Sequence, residues 1–152
     1  MQLSKNFTLE EMTKSATSQR LGISNSPKDN EVENLRKLCE KILQPLRDEY
    51  KKPIIVSSGF RGEKLNKAVG GSPTSEHRYG MAADIHSISD TKEDNKEIFD
   101  LIVKMDLPYG QLINEFNYDW IHVSYNQTRK RHEKLEALKK NGKTVYKYIK
   151  YI

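Results

Sequence analysis

The chain has 152 residues, 36% of them hydrophobic and 31% charged, with a formal net charge of +5, which suits one soluble domain around one core. No run approaches the ~18–20 apolar residues of a membrane span, so no membrane insertion is expected, and a single cysteine, Cys39, excludes both an internal disulfide and a thiolate metal cluster. The positive balance permits attraction to any polyanion, but no nucleic-acid-binding motif accompanies it, and no nucleic-acid partner is expected.

In chain order, the first eight residues lack an apolar core of the kind a secretory signal needs. Residues 8–20 are predicted as a first helix: Thr8 caps it, Glu11 completes a capping box, Phe7 staples it, and Gly22 stops it. A second helix is predicted over 30–50, with Asn30 near its cap and Val32, Leu35, Cys39, Ile42 and Leu46 on one face. Pro45 should bend or break it, and Cys39 suits a small buried apolar position.

Ile54 to Ser58 is β-branched and apolar and reads as a buried strand, followed by a short helix over 63–69. After the turn Gly70-Gly71-Ser72-Pro73, Ala82 to Ile88 reads as a strand and 92–105 as a helix. Gln111 to Phe116 and Trp120 to Tyr125 read as a hairpin joined by Asn117-Tyr118-Asp119. A polar helix is expected near 129–140, then the turn Asn141-Gly142 and an edge strand from Thr144 to Ile152. The expected architecture is one α+β domain over 1–152, a small mixed or antiparallel sheet with flanking helices, its motifs within about 7–127 and a basic helix and strand over 128–152.

His77 and Asp84 flank a glycine-punctuated loop that runs into a strand, and His122 lies on a separate strand. Two imidazoles and one carboxylate leave a zinc ion one open position, the ligand count of a hydrolytic metal site. Asp119, three residues before His122, is a candidate general base or else an ordinary turn aspartate. Arg61, just past a strand, could hold a carboxylate or a developing oxyanion, and otherwise is a surface arginine. Ser75 offers a hydroxyl beside His77. Glu115 could accept from a ligand imidazole, His86 shares the strand face of Asp84, Trp120 suits a cleft wall, and His132 suits the surface of the basic helix.

Ser-Gly-Phe-Arg at 58–61, Ser-x-His-x-x-Gly-x-Ala-x-Asp at 75–84 and Asp-Trp-Ile-His-Val at 119–123 together resemble the D-alanyl-D-alanine carboxypeptidase family of zinc peptidases. That family includes small carboxypeptidases, dipeptidases and phage L-alanyl-D-glutamate endopeptidases acting on peptidoglycan stem peptides. The resemblance runs from about Phe7 to Tyr125, and the segment after about Gln127 matches none of its motifs.

It implies a hedgehog-like or D-Ala-D-Ala-peptidase-like fold, Zn2+ on His77, Asp84 and His122, Asp119 as catalytic base, Arg61 on the substrate carbonyl and Ser75 in contact with substrate. It further implies hydrolysis of peptidoglycan amide bonds; a monomer is expected. With no signal visible, the enzyme would be made in the cytoplasm and would act at the wall after phage release or from a virion. A non-catalytic, metal-stabilised wall-binding module of the same fold is the alternative.

Overall fold

The computed structural model describes residues 1–129 and 131–149, so Lys130 of the expected basic helix and 150–152 of the expected last strand lie outside the described residues. The fold is mixed α+β, with a six-stranded sheet and a small two-stranded one. The small sheet, β1 (Gln2–Ser4) with β2 (Phe7–Thr8), was not among the expected elements; it buries Leu3 and Phe7 in the main core. Thr8 then caps α1 (Leu9–Thr13): its Oγ1 accepts from Glu11 N at 3.2 Å, and Glu11 Oε1 accepts from Thr8 N at 3.0 Å.

The helix expected over 8–20 is two helices. Lys14 and Ser15 turn extended, and Ser15 Oγ accepts from Ser18 N at 3.1 Å to start α2 (Ala16–Leu21), which Gly22 ends at φ 66°. A hydroxyl that caps a new helix outcompetes continuation of the old one.

The long helical path is continuous through Pro45 without a break. It comprises α3 (Asp29–Leu38), a π-helical turn (Cys39–Leu43) and α4 (Gln44–Tyr50). Gln44 N reaches back to Cys39 O, and this wider turn places Pro45, which has no N–H, near the start of a new α-helical register. Leu35, Leu38, Cys39, Ile42, Leu43 and Leu46 are all fully buried along one face. Burial pushes the Cys39 thiol up to about 12, so it packs as an apolar group. The expected cap at Asn30 is displaced: Glu31 Oε1 accepts from Lys28 N at 2.9 Å.

The main sheet runs β3 (Ile54–Ser58), β4 (Ala82–Ser87), β6 (Trp120–Ser124), β5 (Gln111–Glu115), β7 (Glu133–Lys140), β8 (Lys143–Tyr148) across its width. All neighbours are antiparallel except β5 and β7. Contrary to expectation, β3 is an edge strand: Ile54 is buried but Ile55 faces solvent. The polar helix expected near 129–140 is also overturned, because 133–140 is the strand β7. Its Leu135 and Ala137 point into a small apolar cluster with Ile113, and its backbone saturates the edge that β5 would otherwise expose. Asn141 and Gly142, at φ 52° and 76°, form the two-residue turn into β8.

The short helix α5 (Glu63–Ala68) follows β3, and one sheet face, with Ala83, Ile85, Leu112, Ile121 and Val123, packs on α3, α4 and α6 (Lys92–Lys104) to form the core. The opposite face carries the row Ser58, Asp84, His122, Ile113, Leu135, Tyr148, each paired with the next across neighbouring strands. No described helix is long and apolar enough to cross a membrane.

Candidate metal centre

Strand pairing brings Asp84 and His122 together. They are direct partners in β4 and β6, so their side chains rise from the same face, with His122 Nδ1 3.1 Å from Asp84 Oδ1. A bulge in β3 between Val56 and Ser58 sets Ser58 opposite Asp84 and starts the turn through Gly59. A Cβ on Gly59 would overlap the carbonyl oxygen of Met12, so only glycine lets this turn lie against α1.

That turn orients the third group. His77, on a 3₁₀ turn (Glu76–Tyr79), donates from Nδ1 to Gly59 O at 2.8 Å, leaving Nε2 facing Asp84 Oδ1 at 3.3 Å. The tautomer is thereby fixed by a backbone carbonyl, as in many metal-ligating histidines. The turn itself is pinned to α3. Arg78 Nη1 meets buried Glu31 Oε2 at 2.9 Å, Asn34 Nδ2 donates to Tyr79 O at 2.9 Å, and Gly80, at φ 74°, passes too close to Glu31 O for any Cβ.

One ligand atom from each of His77, Asp84 and His122 lies within 4.8 Å of the others. The 3.1 and 3.3 Å separations approach the ~3.4 Å between two atoms each ~2.1 Å from a tetrahedral centre. The protonation states also fit. Burial holds the His77 imidazole below its ordinary value despite the pull of Asp84. Burial alone would raise Asp84, but hydrogen bonds with His122 and His77 outweigh it and hold the carboxyl well below the usual range. For His122, burial opposes protonation, but Asp84, with Glu115 and Glu76 beyond, carries it above the ordinary value. A neutral His77 and an ionised Asp84 are what a zinc-type donor set needs, whereas His122 must release its proton to bind.

Arg61 and Ser75 stand beside this cluster. Arg61 N donates to His77 O at 2.9 Å, and its Nη2 lies 3.5 Å from Ser75 Oγ, which also accepts from His77 N at 3.3 Å. Burial lowers the guanidinium, and the charge of Asp84 pulls the other way. Arg61 Nε is buried with no partner among the described residues, a donor in want of an acceptor. Arg61 also borders a cleft lined by Ser57, Ser58, Leu65 and Val69.

Asp119 is placed elsewhere. It is half exposed in the β5–β6 loop, with Oδ1 2.5 Å from Lys92 Nζ, and is not one of the clustered groups. Glu115 is buried on the site face, diagonal to His122 across β5–β6. Burial raises its carboxyl to about 7, with His122 lowering it and Asp84 raising it. His86 turns away, with Nδ1 donating to Ser87 O at 2.7 Å. Trp120 stands half-buried beside Phe116, their ring centroids 5.4 Å apart, and His132 stacks on Tyr109 just ahead of β7 rather than on a helix.

Sequence reasoning missed Asn95, whose side chain accepts from Ser87 N at 2.8 Å and donates to Tyr118 O at 2.9 Å. It ties the end of β4 to the β5–β6 loop, where Phe116, Asn117 and Tyr118 all have positive φ. The available signal was an asparagine one turn into a helix that Thr91 could cap; its full burial emerges only in the structure.

The family model for Peptidase M15 matches residues 5–124, most of the chain and every residue of the cluster. The protein belongs to the peptidase M15 family and is a metallopeptidase by that membership. No curated protein matches the chain.

Proposed function

We propose that the protein hydrolyses amide bonds in peptidoglycan stem peptides, with zinc held by His77, Asp84 and His122. The convergence of those three ligand atoms within 4.8 Å, on a face bordered by Arg61, carries this reading. A divalent metal bound there would supply Lewis acidity to a carbonyl and acidity to a water.

The chain's own residues do the rest. Arg61 presents its guanidinium beside Asp84, and its unpartnered Nε gives a bound carbonyl or carboxylate oxygen a charged donor. Ser75 holds that guanidinium and the backbone of His77 in register, and its hydroxyl borders the bound peptide. The proton is handled by Glu115 in preference to Asp119. Glu115 is buried on the same face as His122 and near neutrality in its ionisation, whereas Asp119 is bound to Lys92 at the surface. A carboxyl near 7 takes a proton from attacking water and returns it to the leaving amine nitrogen.

Stem peptides fit because an arginine beside a metal suits a substrate carrying both an amide and a free carboxylate. Their place outside the cytoplasmic membrane requires delivery after synthesis, which phage release or carriage on a virion would provide. Mass spectrometry of products from defined muropeptides, with and without chelator, tests the reading. It predicts one new amine and carboxylate per cut in the metal-loaded sample only; intact muropeptides in both samples would refute it and favour a wall-binding module.

A further inference from the structure

The hairpin β7–β8 lies beyond the matched segment, yet it continues the site face of the sheet. Glu115 pairs with Ala137, and Ala137 with Tyr146, so the three side chains share one row across β5, β7 and β8. Strands spaced ~4.8 Å apart put Tyr146 roughly 10 Å from Glu115 along that row. The residue between them is an alanine, whose methyl leaves the row open for a tyrosine ring to lean across.

The base of the hairpin is fixed to the metal-ligand turn. Arg131 Nη2 lies 3.5 Å from Glu76 Oε1, one residue before His77, and Arg131 Nη1 lies 3.4 Å from Glu133 Oε1 at the start of β7. The two tyrosines on this face differ. Tyr148 donates its hydroxyl to Glu133 Oε2 at 3.1 Å, whereas the Tyr146 hydroxyl has no hydrogen-bond partner among the described residues.

We infer that Tyr146 is a substrate-binding residue of the same site, its phenol donating a hydrogen bond to the peptide substrate opposite Arg61. This rests on the peptidase reading, and it assigns the hairpin a function: a wall of the substrate cleft supplied from outside the family's matched segment. Partial burial raises the Tyr146 phenol, with the negative charges of Glu115 and Asp84 adding to the effect, so the hydroxyl sits in the field of the site and stays protonated as a donor.

The test uses the full chain. 3-Fluorotyrosine placed at 146 reports by ¹⁹F NMR, and Tyr146→Phe and Tyr148→Phe are compared in muropeptide hydrolysis. The fluorine line at 146 should shift on zinc addition and on Glu115→Gln, while a label at 148 shifts less. Tyr146→Phe should lower kcat/KM about 10-fold, the loss of one hydrogen bond to substrate, with zinc stoichiometry and melting temperature unchanged. Tyr148→Phe should stay within about twofold.

A line at 146 that ignores both zinc and Glu115→Gln overturns the inference whether or not the wild-type protein hydrolyses anything. Native kcat/KM in Tyr146→Phe overturns it even if the line responds. Failure of the wild-type protein to hydrolyse any muropeptide, with zinc bound, would overturn the peptidase reading and with it the substrate role of Tyr146, even with a responsive line.

Discussion

His77 is oriented by Gly59: its Nδ1–H donates to the Gly59 carbonyl at 2.8 Å, and that carbonyl is fixed because Gly59 alone fits against the backbone of Met12. The tautomer of His77 therefore depends on a glycine eighteen residues earlier in the chain.

Gly59→Ala should damage the site without touching a ligand. Forcing a methyl against backbone costs about 1–3 kcal/mol, and misplacing the partner of a ligating imidazole costs ~10–100-fold in metal affinity. Thermal melts of metal-free protein and competitive zinc titration should show both losses together. Native zinc affinity would mean that the Gly59 carbonyl does not set the ring.

Glu115→Gln and Asp119→Asn separate the two carboxylates near His122. Glu115→Gln should keep zinc and lose about 10²–10⁴-fold in kcat, while Asp119→Asn, losing only an exposed pair with Lys92, should keep most activity. The reverse pattern would return the base to Asp119.

Metal-free protein should also show the ionisation of Glu115 in its stability. The folded carboxyl titrates near 7, above its unfolded value of 4.5, so the folded state holds the proton more tightly. Its contribution is favourable below the unfolded value and is lost as pH rises through the folded one, by roughly 1–3 kcal/mol in all. Glu115→Gln should therefore flatten the fall in stability between about pH 4.5 and 7, measured by denaturant titration in chelator; an unchanged slope would contradict the burial of this carboxyl.

Asn95→Leu should uncouple β4 from the β5–β6 loop. It strands the Ser87 N–H and the Tyr118 carbonyl at about 1–3 kcal/mol each if no water enters. Hydrogen exchange should rise first at Tyr118 and Asp119, ahead of the core strands.

The cluster of His77, Asp84 and His122 was legible in the sequence through short motifs that resemble those of a known peptidase family: His77 and Asp84 across one loop, His122 on the neighbouring strand. The hairpin and the Asn141-Gly142 turn were legible for the same local reason. The strand β7 was not. Glu-Lys-Leu-Glu-Ala-Leu-Lys-Lys is built from strong helix formers, and only the open edge of β5, with its apolar seat for Leu135 and Ala137, makes it extended. Glu115 was visible as a residue beside the site, but its burial depends on that same strand. Asp119 was read from its three-residue distance to His122; three consecutive positive-φ residues, Phe116, Asn117 and Tyr118, lead into it, and its carboxylate meets Lys92.

The most direct measurement is a zinc titration of turnover. Metal-free protein is given increasing zinc and assayed on a defined muropeptide, beside His122→Ala. Turnover should rise from zero to a plateau at one equivalent in the native protein and stay near zero in the variant. Turnover that persists in chelator, or that His122→Ala supports at the native level, would contradict a catalytic metal on His77, Asp84 and His122.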